Sequence, residues 1–214
     1  RRSKTEPEYE LVDTGIFDDN NYFDLFIEYA KIAHDDFAIR VTAVNRSRNK
    51  APLVILPTLW YRNNWSWGYG TYEPSLKSSS KGTIDICHDS LPQKKFYSRH
   101  SNVESLFCNN ETNSAKINAH PSDHKFFKDG INDFIVHQTE NTLNPDQSGT
   151  KASFYINTEL EAGESKTFDF RLSPHDMENA FFDFDEIFSL RKQEADDFYQ
   201  ELQCDLSDED EKNI

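Results

Sequence analysis

One methionine, seven glycines and three cysteines among 214 residues leave several familiar chemistries without their raw material. Cys87, Cys108 and Cys204 form an odd set with no CxxC pair, so neither a disulfide framework nor a zinc ribbon is expected. No window approaches the roughly 18 uninterrupted apolar residues of a membrane-spanning helix. The opening Arg1-Arg2-Ser3-Lys4 has no apolar core of the kind a signal peptide needs. GxSxG, Walker, HExxH and DxDxDG patterns are all missing, which removes the local signatures of a nucleophile elbow, a phosphate loop, a zinc protease and a calcium loop. No cofactor and no metal are expected. Positive charge is scarce: the net charge is −15, and residues 176–214 carry 14 acidic against 3 basic side chains. Such a surface repels phosphate backbones and anionic lipid, so neither a nucleic acid nor a membrane is an expected partner. Unpaired cysteines and the missing leader make a soluble, cytoplasmic protein the expectation. Three Asn-x-Ser/Thr tripeptides, at Asn45, Asn64 and Asn110, stand against it, and in so Asn-rich a chain they carry little weight.

What the chain has instead is aromatic residues, with 17 Phe and 9 Tyr, a profile suited to pleated, half-buried sheets. Residues 22–32 and 37–44 alternate with a period of two, and 52–59 returns after the polar Asn45–Lys50 turn, so these read as a three-stranded antiparallel meander. Shorter strands are expected at 82–87, 94–98, 103–108 and 134–137. Residues 151–160 and 166–172 flank Glu161-Ala162-Gly163-Glu164-Ser165 and read as a hairpin, with Phe168, Phe170 and Leu172 on one face and Asp169 and Arg171 on the other. Many short strands with polar turns predict an antiparallel β-sandwich over residues 1–175. Residues 176–214 read as an acidic helical linker. Its Phe184, Ile187, Phe188, Leu190, Phe198 and Leu202 recur at helical spacing, and a second helix starts near Ser207-Asp208-Glu209-Asp210 and is cut off at Ile214.

All three tryptophans fall in Trp60-Tyr61-Arg62-Asn63-Asn64-Trp65-Ser66-Trp67, directly after the apolar run 53–59. An indole packs well against the apolar face of a sugar ring, and Arg62, Asn63 and Asn64 offer hydrogen bonds to hydroxyls. The same residues serve equally as a plug closing one end of a sandwich, and Trp60, which continues the strand, is the one most expected in the core. A second cluster, Lys128-Asp129-Gly130-Ile131-Asn132-Asp133 with His137, reads as a tight turn before a strand, or as polar groups, Asn132 and Asp133, facing a polyol. Adjacent acids at Asp18-Asp19, Asp35-Asp36 and Asp196-Asp197 do not establish the facing carboxylates of a glycosidase. His120 and His124 flank Pro121 and give a weak metal signal.

Several blocks occur in the order of a known family: Glu8 to Phe17, Tyr22-Phe23-Asp24, Glu28-Tyr29-Ala30-Lys31, Leu56 to Trp67, Asn110-Glu111-Thr112-Asn113, Lys128 to Asp133 with His137, Gly149-Thr150-Lys151-Ala152, and the helix from Arg191 to Tyr199. Together they resemble the non-catalytic N-terminal region of bacterial and archaeal glycoside hydrolase family 63-like proteins, relatives of processing α-glucosidases and mannosylglycerate hydrolases. Residues 71–99 fall outside the resemblance. It implies a β-sandwich placed before an (α/α)6 barrel that hydrolyses an α-glycosidic bond with inversion, further sequence before Arg1, and both catalytic carboxylates beyond Ile214. The expected partners are then that barrel and a carbohydrate substrate, and no residue of this chain is assigned to catalysis. Trp65, Trp67, Asn132 and Asp133 are the expected substrate-binding residues, on the face that meets the barrel. A free-standing carbohydrate-binding module using the tryptophan turn and a structural interaction domain are the alternatives.

Overall fold

The computed structural model describes residues 3–69, 72–119, 122 and 124–212. After a short 3-10 turn, Leu11–Thr14, eleven strands follow in chain order. They are β1 (Phe23–Ala33), β2 (Asp36–Asn45), β3 (Ala51–Ile55), β4 (Thr58–Trp60), β5 (Ser75–Ser80), β6 (Thr83–His88), β7 (Leu91–Ser98), β8 (Glu104–Cys108), β9 (Ser148–Gly149), β10 (Lys151–Leu160) and β11 (Ser165–Ser173). Helices α1 (Ser114–Asn118) and α2 (Gly130–His137) lie between β8 and β9, and α3 (Phe184–Leu202) and α4 (Glu209–Lys212) close the chain. The strands form two antiparallel sheets, one in the order β1-β2-β11-β7-β6-β5-β9 and the other β3-β10-β4, with β8 also pairing β10. This is an antiparallel β-sandwich followed by a C-terminal helix, the expected fold class.

The two sheets meet through an aromatic core. Phe96 of β7 and Phe170 of β11 stack on Phe154 of β10 with ring centroids 5.0 and 6.2 Å away. Leu76, Ile84, Phe107, Ile156, Leu160 and Phe168 fill the space around them. Period-two alternation produces this layer, because it sends Phe168 and Phe170 inward together. The smaller sheet leaves the same face of β1 uncovered: Leu25, Ile27 and Tyr29 are 49, 55 and 70% exposed.

Three pairings differ from expectation. The apolar run at 52–59 is two strands, because Leu56-Pro57 interrupts the ladder and Pro57 has no N–H to give. Its first part, β3, pairs with β10 rather than β2, so only β1 and β2 form the expected hairpin. Nor do β10 and β11 pair with each other. The turn between them carries the chain from one sheet to the other, β10 joining β3, β4 and β8 while β11 joins β2 and β7. Asn45, 1% exposed, holds that crossing. Its Nδ2 donates to the carbonyls of Asn49, Leu160 and Glu161 at 2.9–3.0 Å, and its Oδ1 accepts from Ser47 N–H at 3.0 Å. Its backbone accepts from Gly163 N–H, with Gly163 at φ +73°, a conformation that favours glycine. With its amide committed in this way, Asn45 is no glycosylation acceptor. Residues 134–137 are helix rather than strand, and β5 and α1 occupy stretches where no element was expected.

Asp169 and Arg171 do face away from the core, as their alternation predicts, yet both are buried. The segment leading into α3 covers them. Arg171 forms a bidentate pair with Asp36 (2.9 and 2.8 Å) and donates to Asp183 and to the Ala180 carbonyl, both at 2.9 Å. Asp169 accepts from Arg40 and Arg99, and both arginines also reach Asp185 at the start of α3. Phe184 is fully buried beneath them, with the Arg40 guanidinium 5.3 Å from its ring. The first turns of α3 thus pack on Ala30, Ile32 and Ala38, while Phe198, Tyr199 and Leu202 stay exposed. Among the described residues no helix is long and apolar enough to cross a membrane.

Asp36→Ala removes the bidentate partner of the buried Arg171 and leaves it only the carboxylate of Asp183, and the expected cost is about 3 kcal/mol by urea unfolding. Asp185 offers a pH test. Hydrogen bonds from Arg40 and then Arg99 hold its carboxyl below the usual range. Its contribution is therefore present above the unfolded carboxylate pKa of about 3.9 and is lost as pH falls through the lower folded value. Acid unfolding followed by circular dichroism should become less steep below about pH 4 in Asp185→Asn.

Candidate functional site

Beyond β4 the chain makes a turn that its own side chains close. Asn63 Oδ1 accepts from Ser66 N–H at 3.1 Å, and Gly68 N–H donates to the Trp65 carbonyl at 3.1 Å with Gly68 at φ +73°. Asn63 Nδ2 donates to Ser66 Oγ (2.8 Å) and to the Asn110 carbonyl (3.0 Å), tying the turn to the chain leaving β8. The three indoles then part company. Trp65 is half-buried and donates through Nε1 to Glu111 Oε1 at 2.6 Å. Trp60 and Trp67 stand 61 and 66% exposed, so the expectation of Trp60 in the core is overturned. The strand containing Trp60 is short, its partner Lys151 lies at the start of β10, and its side chain falls on the face away from the core.

A second layer is built against this turn. Asn110 donates from Nδ2 to the Tyr61 carbonyl (2.7 Å) and from its backbone N–H to Thr150 Oγ1 (2.7 Å). Lys128 N–H donates to the Glu111 carbonyl at 3.1 Å, and Lys151 Nζ donates to the Lys128 carbonyl at 2.7 Å. Asn113 caps α1 through Lys116 N–H, while Lys116 Nζ reaches Asp129 Oδ2 (3.1 Å) and Asp133 Oδ2 (2.8 Å). That contact with Lys116 is the main reason the Asp133 carboxyl lies below its ordinary pKa. The blocks at 56–67, 110–113, 128–133 and 149–152, far apart in sequence, thereby form one surface.

Two glycines make the close approach possible. A Cβ on Gly130 would lie 2.3 Å from the Thr142 carbonyl oxygen, and one on Gly149 would lie 2.3 Å from that of Cys108. Ile131 of α2 packs on Leu106 and Cys108 of β8. Burial pushes the Cys108 thiol up to about 11, so it is neutral and inert at pH 7. The chain around α1 and α2 holds Ala119, Phe126, Gln138, Asn141 and Gln147 at φ between 50 and 58°, a left-handed conformation costly for side chains such as Phe126.

Two neighbouring clefts open on this surface. One, of about 430 Å³, is lined by Trp60, Trp67, Arg62, Glu111, His124 and Lys128. The other, of about 790 Å³, is lined by Phe126, Asp129, Asp133, Phe134, Glu140 and again His124. Trp67 and Asp133 therefore each line a cleft, Trp65 lines neither and is bonded to Glu111, which lines the first, and Asn132 is exposed on α2 and lines neither. Asn132 and Asp133 sit on a helix, not on the turn expected of them, because the αL residue Gln138 ends α2 only after two turns. Glu111 was not anticipated as a site residue. Its one sequence signal was its place beside Asn110, because nothing local marks a glutamate that will be buried. His120 lies outside the described residues, and among those described no cluster of three metal-ligating side chains occurs. Apolar rims with scattered donors and acceptors suit binding of a polar ring. In the second cleft Lys116 is shared by two of the carboxylates, Asp129 and Asp133.

No family model matches the chain. It is similar to the uncharacterized protein YMR196W of Saccharomyces cerevisiae, with 28% identity over 244 aligned positions that cover 92% of this chain and 22% of the yeast protein. The chain thus spans about a fifth of the length of that relative.

Gly130→Ala should unseat α2. We expect a loss of about 2 kcal/mol by urea unfolding, together with faster labelling of Cys108 by a thiol reagent in a background where Cys87 and Cys204 are serine. Unchanged labelling would mean that the Thr142 carbonyl yields without moving the helix.

Proposed function

We propose that this chain is the non-catalytic β-sandwich segment of a cytoplasmic glycoside hydrolase that cleaves an α-glycosidic bond. In this reading it packs on an (α/α)6 barrel beyond residue 214, and the tryptophan cleft receives part of the carbohydrate at the barrel's entrance. The observation that carries the reading is the convergence of the tryptophan turn, Asn110–Asn113 and α2 on one surface, with Trp60 and Trp67 left exposed at its rim. Indoles held in water in this way favour a ligand or a neighbouring domain over a core role. The uncovered apolar face of β1 adds support for packing against further protein, as does the greater length of the yeast relative. Trp67 and Trp65 serve the cleft in this scheme, the first by stacking and the second by holding Glu111. Asp133 and Asn132 belong to the adjoining surface of α2.

A free-standing carbohydrate-binding module is the second reading, favoured by the two exposed indoles, Trp60 and Trp67, beside the donors and acceptors of one cleft. The two separate in an assay with p-nitrophenyl α-glucoside. The segment alone should be inert, whereas the protein expressed from the complete gene should hydrolyse the substrate, with Trp67→Ala lowering kcat/KM by roughly ten-fold. An inactive complete protein that still binds sugar through Trp67 would give the role to the binding module.

A further inference from the structure

Glu111 is a buried carboxylate, 4% exposed, on the wall of the tryptophan cleft. Its two oxygens are treated unequally. Oε1 takes the Trp65 indole N–H at 2.6 Å, with Asn63 Nδ2 and Ser66 Oγ both at 3.5 Å. Oε2 is closed to solvent and has no hydrogen-bond partner among the described residues. It is the sole buried side-chain oxygen or nitrogen among them left in that state. A buried acceptor without a donor costs free energy comparable to a lost hydrogen bond, more so on a carboxylate, so a donor brought to Oε2 from outside the chain would be stabilising.

The surroundings narrow that donor's chemistry. Arg62, His124 and Lys128 line the same cleft and offer donors to a ligand, whereas Glu111 offers an acceptor. Trp60 and Trp67 add flat apolar surface, 61 and 66% exposed. A single water would satisfy Oε2 but makes no use of the two exposed indoles beside it. A pyranose answers all three demands, because its hydroxyls both donate and accept while its axial C–H face covers an indole. The two oxygens turn together about the soft terminal torsion of glutamate, so a sugar hydroxyl that reaches Oε2 re-aims the oxygen held by Trp65 as well.

We propose that Glu111 is the specificity residue of the tryptophan cleft, its Oε2 accepting a hydrogen bond from one ring hydroxyl of a bound hexopyranoside. The inference rests on the carbohydrate reading above and adds to it which residue selects the sugar. Trp65 is then a positioning residue that fixes the Glu111 carboxylate. No bond is made or broken in this step.

Calorimetric titration of the protein expressed from the complete gene with methyl α-D-glucopyranoside and maltotriose, repeated on E111Q, tests it. The glutamine keeps an oxygen for Trp65 and presents an amide N–H₂ in place of Oε2, so binding should weaken roughly ten- to a hundred-fold with the thermal unfolding midpoint preserved. A series of monodeoxy glucosides supplies a measurement that does not depend on the variant folding. One deoxy position should weaken binding to the wild-type protein, and that same position should make no difference to E111Q. Absence of sugar binding by the complete wild-type protein would overturn the carbohydrate reading itself. Wild-type binding that E111Q retains in full, or that no deoxy position weakens, would overturn the role of Glu111 and leave the carbohydrate reading standing.

Discussion

The sandwich depends on the Asn45 carboxamide. A strand-turn-strand segment as short as β10, Glu161 to Glu164 and β11 would ordinarily fold back as a hairpin within one sheet. Here the end of β2, the turn before β3 and the passage from β10 to β11 meet at one buried side chain, which satisfies three carbonyls and an N–H that would otherwise be stranded. Buried backbone groups must be paired, and the amide of Asn45 offers donors and an acceptor within one small volume. Once the chain crosses there, β10 is free to become the centre of the smaller sheet, and Phe154 comes to face Phe96 and Phe170. The aromatic core is a consequence of that crossing as much as of apolar content.

The outer face of the larger sheet obeys a different rule. Arg40, Arg99 and Arg171 alternate with carboxylates from two strands, Asp36 of β2 and Asp169 of β11, and from the start of α3, and Asp36, Asp169 and Arg171 are buried there without the cluster becoming apolar. Buried ion pairs add little net stability but are expensive to break singly. Their effect here is orientation. Asp183 and Asp185 can satisfy Arg171, Arg40 and Arg99 together only when α3 leaves the sheet along one direction, and Phe184 then drops beneath the guanidinium of Arg40. The adjacent pair Asp35-Asp36 is spent on ion pairs of the fold: Asp36 on Arg171, Asp35 on Lys94.

The tryptophan surface inherits its shape from both sheets. β4 and β8 flank β10 and deliver the turn at Trp65 and the segment at Asn110 side by side, and Gly149 lets β9 pass within contact of the Cys108 carbonyl. Gly130 does the same for α2 against Thr142. Left-handed residues cluster in the chain between, so the layer bearing the clefts holds backbone strain that the core does not. Such strain persists where surrounding contacts over-determine it, and it is commonest at sites that hold a ligand.

Period-two alternation was enough to identify β1, β2, β6 to β8, β10 and β11, and period-3.6 spacing enough for α3, because each reports burial on one face and depends on neighbours only through that face. The alternation in β11 even separated the core-facing Phe168 and Phe170 from Asp169 and Arg171. Which strands pair was not legible, since β3 offers the same apolar alternation to β2 as to β10, and the choice rests on Asn45, 115 positions from Leu160. Residues 134–137, the second half of α2, read as a strand because Phe-Ile-Val is a β-type run, and the packing of α2 on Leu106 and Cys108 outweighs that propensity. The clustering of three tryptophans was visible in the sequence, but not that Trp65 would be tethered while Trp60 and Trp67 stayed in water. Glu111 acquires its character only in three dimensions. Local sequence determines how a segment alternates and where it turns; whether a carboxylate ends with one oxygen partnered and the other empty is decided by segments that meet from distant parts of the chain.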